Sequence, residues 1–239
     1  ASVTPALDVL AFTRLAFGPS PADVAAFNAL PGGTPAARYA HWIGQQLTPG
    51  SIDDSDCDQR LVAAGLDTLD RSRESLWEQY IARNKYAGMD KEYEYKYQPT
   101  DQTRAATVIR AVHSKRQVFE VLVDFWHNHF NVYPHDHEEI FTTWPAYDTG
   151  VIRANALGNF RLMLEAVAKS TAMLYYLDNA TSQDTGPNEN FARELLELHT
   201  LGAENYLGTR SPQEVARAAG GVAIGYVDND VYEVARCFT

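Results

Sequence analysis

Cysteine is nearly absent from this chain: Cys57 and Cys237 are the only two in 239 residues. That excludes a disulfide-built scaffold, although the two thiols could still pair in an oxidising compartment or both stay free. Long apolar runs are missing as well. Stretches such as Val121-Leu122-Val123 and Tyr175-Tyr176-Leu177 fall far short of the roughly 18–20 residues a membrane-spanning helix needs, so no span is expected. Basic residues are scarce: 20 Lys and Arg stand against 31 Asp and Glu, a formal net charge of −11. A nucleic-acid-binding face needs a basic stripe, and none is visible. The chain starts without an initiator methionine or the apolar core of a signal sequence. We therefore expect that something ahead of Ala1 was removed, a signal peptide or an engineered boundary.

Short catalytic signatures are absent too. There is no Gly-x-Gly-x-x-Gly after a strand, no phosphate loop, no Gly-x-Ser-x-Gly elbow, no His-Glu-x-x-His and no Cys-x-x-Cys. What remains is a chain with 45% hydrophobic and 21% charged residues, a balance that favours a folded core over disorder.

Apolar residues recur at helical spacing along most of the chain. Residues 7–17 form the first such segment. Ser20-Pro21-Ala22-Asp23 is a helix start, with Ser20 as cap, Pro21 at the first helical position and Asp23 at the third. Helical patterning is expected over 35–47, over 61 to about 83, over 103–130 with a break near Ser114, over 152–172 as one or two helices, and over 187–201, where Gly202 ends the last. Ser211-Pro212-Gln213-Glu214 repeats the start signal, and Glu-Val-Ala-Arg at 214–217 and 233–236 reads as two similar helix starts. Residues 92–97 alternate Glu or Lys with Tyr, which reads as a short strand in a minor β-hairpin or as an exposed tyrosine-rich loop. The expected fold is all-α: an irregular multi-helix domain with long loops, one unit over 1–239.

Four segments carry more polar chemistry than a plain core helix needs. In Asp124-Phe125-Trp126-His127-Asn128-His129-Phe130, a regular helix points the two imidazoles about 200° apart. If the helix stops near His127, an extended His127-Asn128-His129 aims both rings one way, as a metal site prefers. The plainer reading is a buried histidine bonded to a carboxylate. The loop 134–139 is rich in His and acid, and reads as a transition-metal site or a solvated loop. In the segment 186–199, Asn190, Glu194 and Glu197 share one helix face, with Glu189 and Arg193 beside it. These residues form surface ion pairs, or in a dry cleft they ligate a metal or supply a general base. The acidic run 53–58 lacks the Gly and Glu of a calcium loop, Gln59 and Gly65 standing at those positions. Its acids instead suit the positive end of a helix beginning near Arg60.

Five blocks together resemble the bacterial DUF1800 family of unknown function: residues 14–20, 125–130, 156–160, 173–179 and 187–201. The likeness runs in order along nearly the whole chain. It implies a secreted or periplasmic, mostly α-helical protein, commonly encoded beside a second exported protein related to alkaline phosphatases and sulfatases. Family members run to about twice this length. On that likeness 1–239 is an N-terminal half, with the C-terminal half and the co-encoded exported protein as expected partners.

Joining the residues, we expect a metal-dependent enzyme, hydrolytic or oxidative, with a site between helices. His127, His129 and Glu189 are the expected ligands of a zinc, iron or copper ion, and Glu194, Glu197 and Arg193 the expected catalytic groups. The alternative is a non-catalytic binding or assembly module in which the same residues form buried networks. Polysaccharide binding through Tyr93, Tyr95, Tyr97 and Trp144 is a further reading.

Overall fold

Local start signals set the first three helices: α1 (Leu7–Leu15), α2 (Pro21–Asn28) and α3 (Pro35–Gln46). The computed structural model describes residues 5–83, 87–89 and 92–239. Ser20 and Asp23 close the expected reciprocal cap on α2, and Thr34 caps α3 by accepting the Ala37 N–H. These helices pack through Phe12, Phe27 and Trp42, whose rings meet edge to face with centroids 5.3 to 6.5 Å apart.

The helical pattern expected over 61 to about 83 is interrupted between Ala63 and Arg73. α4 (Ser55–Ala63) ends before Gly65, which takes the left-handed φ of 65° that favours glycine. The chain restarts at Ser72, whose hydroxyl caps α5 (Arg73–Trp77), and α5 runs on as a π-helical turn, Glu78–Ala82. The strand or loop expected near 92–97 is instead a short helix, α6 (Glu92–Lys96), one residue ahead of α7 (Gln98–His113). Glu, Tyr and Lys fit a helix as well as a strand, and continuity with α7 decides between them. The Tyr93 side chain lies outside the described ones.

The break at Ser114 has a specific cause. Asp54, buried at the start of α4, accepts the Ser114 hydroxyl at 2.7 Å and the Lys115 N–H at 2.6 Å. One acid of the run 53–58 thus joins two elements, and the rest precede or open a helix that starts at Ser55 and not near Arg60. Beyond the break, α8 (Gln117–His129) stays helical through both histidines.

α9 (Glu138–Ala146) contains Pro145 and passes into π-helical turns over Tyr147–Arg153. Proline has no N–H for the carbonyl four residues back, so the regular ladder is already broken where the wider turns begin. α10 (Phe160–Lys169) and α11 (Thr171–Tyr176) follow, capped by Asn159 and Ser170. α12 (Asn190–Glu194) continues as π-helical turns over Leu195–Thr200 and ends where Gly202 adopts φ 91°. α13 (Asp228–Arg236) closes the described chain.

The main core collects Phe130, Ile140, Tyr147, Ile152, Met163, Met173 and Phe191 from α8 to α12. β pairing among the described residues is confined to isolated bridges, so the fold is all-α as expected. One bridge joins Tyr206 to Tyr226. It needs Gly225, since a Cβ there would stand 2.6 Å from the Asn205 carbonyl oxygen. The repeated tetrapeptide corrects another expectation. Residues 233–236 lie in α13, but the 211–214 start yields only one 3₁₀ turn, Pro212–Glu214. Cys57 is buried and Cys237 exposed, and both are free. No described helix is long and apolar enough to cross a membrane.

Candidate active site

The two histidines of α8 leave the helix on different sides and meet different partners. His127 Nε2 lies 2.9 Å from Asp148 Oδ1, and the Asp148 side chain is only 2% exposed. Asp148 sits in the π-helical turns that follow Pro145, a segment packed against α8. Its second oxygen is 3.8 Å from Arg110 Nη1, an ion pair at the far side of the carboxylate. Burial and the neighbouring Arg153 lower the Arg110 pKa, and Glu120 binds Arg153 in turn. The imidazole is therefore held by a carboxylate that is itself part of a buried network of two acids and two arginines.

His127 also borders an open cleft of about 450 Å³. Asp124, Asn128, Asn131, Tyr133 and Trp144 line it with His127. Asp124 stands three residues before His127 on the same helix, so both face the cleft at i, i+3 spacing. The His127 ring lies 5.5 Å from the Trp144 ring and 5.8 Å from that of Tyr147, which fixes its plane. The Tyr147 hydroxyl donates to the Phe130 carbonyl at 2.7 Å.

His129 belongs to another neighbourhood. Its Nε2 is 3.2 Å from the His199 carbonyl oxygen, and its ring stacks on Phe125 at 6.0 Å. His199 is buried, and burial followed by the nearby His129 lowers its pKa to about 4. Its Nδ1 is buried without a hydrogen-bond partner among the described residues.

The acids of 186–199 divide as well. Glu189 pairs with Arg193 at 3.3 Å on the surface, and Arg193 reaches Asp228 of α13 at 3.5 Å. Asp228 also accepts the Tyr206 hydroxyl, over whose ring the guanidinium lies. Glu194 turns inward: burial raises its pKa, Glu197 raises it further, and its Oε2 is buried without a hydrogen bond among the described residues. The fold thus brings Glu194 to Glu197 and Arg193 to Glu189. It does not bring His127, His129 and Glu189 to one point. The condition for convergent imidazoles, a helix ending near His127, is not met. Among the described residues no three His, Cys, Asp or Glu side chains are grouped to hold a metal ion.

The family model described as protein of unknown function (DUF1800) matches residues 10–239. The chain belongs to the DUF1800 family. No curated protein and no solved structure matches it. In this DUF1800 chain the five blocks that carry the resemblance fall at structural junctions: the α1–α2 turn, the end of α8, the Asn159 cap, α11 and its turn, and α12.

Sequence reasoning singled out His127 but missed Asp148, 21 residues away. Nothing in the local pattern pairs them, because the contact depends on the α9 register after Pro145. Arg110 and Asn131 were missed for the same reason. The usable signal was the lone polar residue within the apolar stretch Trp144-Pro145-Ala146-Tyr147-Asp148.

Proposed function

We propose that this chain is an enzyme whose reacting group is His127, working in the cleft beside α8. The observation that carries the reading is the buried Asp148 carboxylate, held 2.9 Å from His127 Nε2. A carboxylate in that position selects one tautomer and fixes the ring, leaving Nδ1, which has no hydrogen-bond partner among the described residues, to serve the cleft. Such a ring acts as a general base toward water, and the hydrolytic branch of the expected chemistry follows from it. The same arrangement is typical of a metal-ligating histidine. Asp124 one turn back would then be the second ligand of a divalent zinc, iron or copper ion, with water completing its shell.

Glu194, Glu197 and Arg193 form a separate carboxylate pair and ion-pair network outside this cleft, and the reading assigns them no step. Export to the periplasm or beyond is part of the proposal on the strength of the family likeness, and fractionation of the native host tests it. The binding-module reading draws support from Phe125, Leu198 and Leu201, all about half exposed around His129 and the last turns of α12.

The test is turnover on chromogenic esters, amides, glycosides and phosphoesters, with and without added zinc, iron or copper. Turnover should fall about a hundredfold or more in His127→Ala. Asp148→Asn should lose a comparable part while keeping its helical circular dichroism. Wild-type turnover unaffected by His127→Ala would sink the reading, and absence of both turnover and metal uptake would leave the binding module in its place.

A further inference from the structure

The cleft has a second feature, independent of the Asp148 contact. Along its rim runs a shelf of three stacked rings: Tyr97 on His135 with centroids 4.3 Å apart, then His135 on Tyr133 at 5.7 Å. Tyr133 ends the shelf 53% exposed and lines the cleft. Arg104 Nη1 approaches His135 Nε2 at 3.2 Å and fixes the middle ring. Burial, then Arg104, lowers the His135 pKa, so the shelf is uncharged at neutral pH.

The polar groups facing this shelf are mixed in type. The Asp124 carboxylate and the Asn131 amide have no side-chain partner among the described residues. Asn128 donates from Nδ2 to the Asp124 carbonyl, which leaves its Oδ1 as a free acceptor. Among the described residues that line the cleft the one cation is Arg104, which lies 3.7 Å from Asp101. An anionic ligand would meet Asp124 with no unpaired cation among those residues to offset it. A purely apolar ligand would cover Asp124 and Asn131 without giving them a hydrogen bond, leaving both desolvated and unpaired.

A neutral polyhydroxylated ligand meets both demands. Its hydroxyls donate and accept at the carboxylate and amides, and its C–H faces lie against an aromatic ring. A cleft of about 450 Å³ is within the usual range for small-molecule sites. We propose that the cleft binds a neutral oligosaccharide, with a sugar ring on Tyr133 and hydroxyls bonded to Asp124, Asn128 and Asn131. This names the substrate class for the His127 site and rests on that reading for its chemistry, though not for binding.

The experiment is calorimetric titration with cellopentaose, maltopentaose and chitopentaose, with oligogalacturonate as an anionic probe and putrescine as a cationic one. At least one neutral probe should bind with a Kd of about 1 mM or tighter. Tyr133→Ala should weaken that binding up to about tenfold through loss of the exposed ring. Asn131→Ala should weaken it severalfold. The proposal is overturned if no neutral probe binds at about 10 mM, if a charged probe binds in their place, or if neither Tyr133→Ala nor Asn131→Ala weakens the neutral one. Sugar binding retained where His127→Ala leaves turnover unchanged would instead sink only the catalytic reading.

Discussion

Glu194 sits where two effects act in the same direction on its proton. Burial disfavours its charged form, and the neighbouring Glu197 disfavours it further, so its pKa in the folded chain lies above the ordinary carboxylate value. A raised folded pKa means that the native state holds the proton more tightly than the unfolded chain. At a pH below the unfolded value both states are protonated and burial of the group carries no ionic penalty. As pH rises through the folded pKa, the native state must bury a charge, and stability is lost. Glu194→Gln removes that charge while keeping the shape. The variant should match wild type in acid and become the more stable of the two toward neutral pH, as read by urea midpoints across the range. An equal offset at every pH would show that Glu194 is not titrating in the way its surroundings imply. At this scale the sequence was informative about which acids share a face and silent about which one is buried. Glu194 and Glu197 were legible as neighbours from their spacing, whereas the inward turn of Glu194 depends on how α12 packs.

Helices were legible wherever their ends are written locally. Ser20 with Asp23 and the stop at Gly202 both follow from residues within a few positions. Asn159 is a cap of this kind, its Oδ1 accepting the Arg161 and Leu162 N–H groups at 3.0 and 3.3 Å. It opens α10, which buries Met163 and Val167 in the main core. Asn159→Ala should cost about 1 kcal/mol in urea unfolding, and Asn159→Asp, which keeps an accepting oxygen, only a few tenths. Equal losses in both would remove the cap as the cause. Where helix ends depend on distant packing, local reasoning failed. Identical tetrapeptides at 214–217 and 233–236 differ because only the second presents Val234 and Ala235 to a cluster with Tyr226 and Ala192. The π-helical turns at 147–153 and 195–200 carry Asp148 and His199, and no periodicity of 3.6 could have foretold them. The candidate site was therefore half visible: His127 from its motif, Asp148 and Arg110 only from the fold.

For the molecule as a whole, acidification has opposing consequences. The chain carries a net charge of −11, so mild acid first relieves self-repulsion as carboxylates take up protons. His199 works against this. Its folded pKa of about 4 lies below the ordinary histidine value, with burial as the main cause and His129 as the second. The stability tied to a neutral His199 is fully present above the unfolded value near 6.5. It is lost as pH falls from there toward 4, because over that window the unfolded chain binds the proton and the folded chain does not. A shift of this size is worth roughly 3 kcal/mol at most. His199 is surrounded by rings, with Phe130 at 5.1 Å and Phe191 at 6.5 Å, so His199→Phe replaces the titrating group with one its neighbours accept. Wild type should lose stability on going from pH 7 to about 4.5, whereas the loss in His199→Phe should be smaller by about 1–3 kcal/mol, whatever the variant's absolute stability at pH 7. Parallel curves for the two proteins would mean that the acid limb comes from elsewhere.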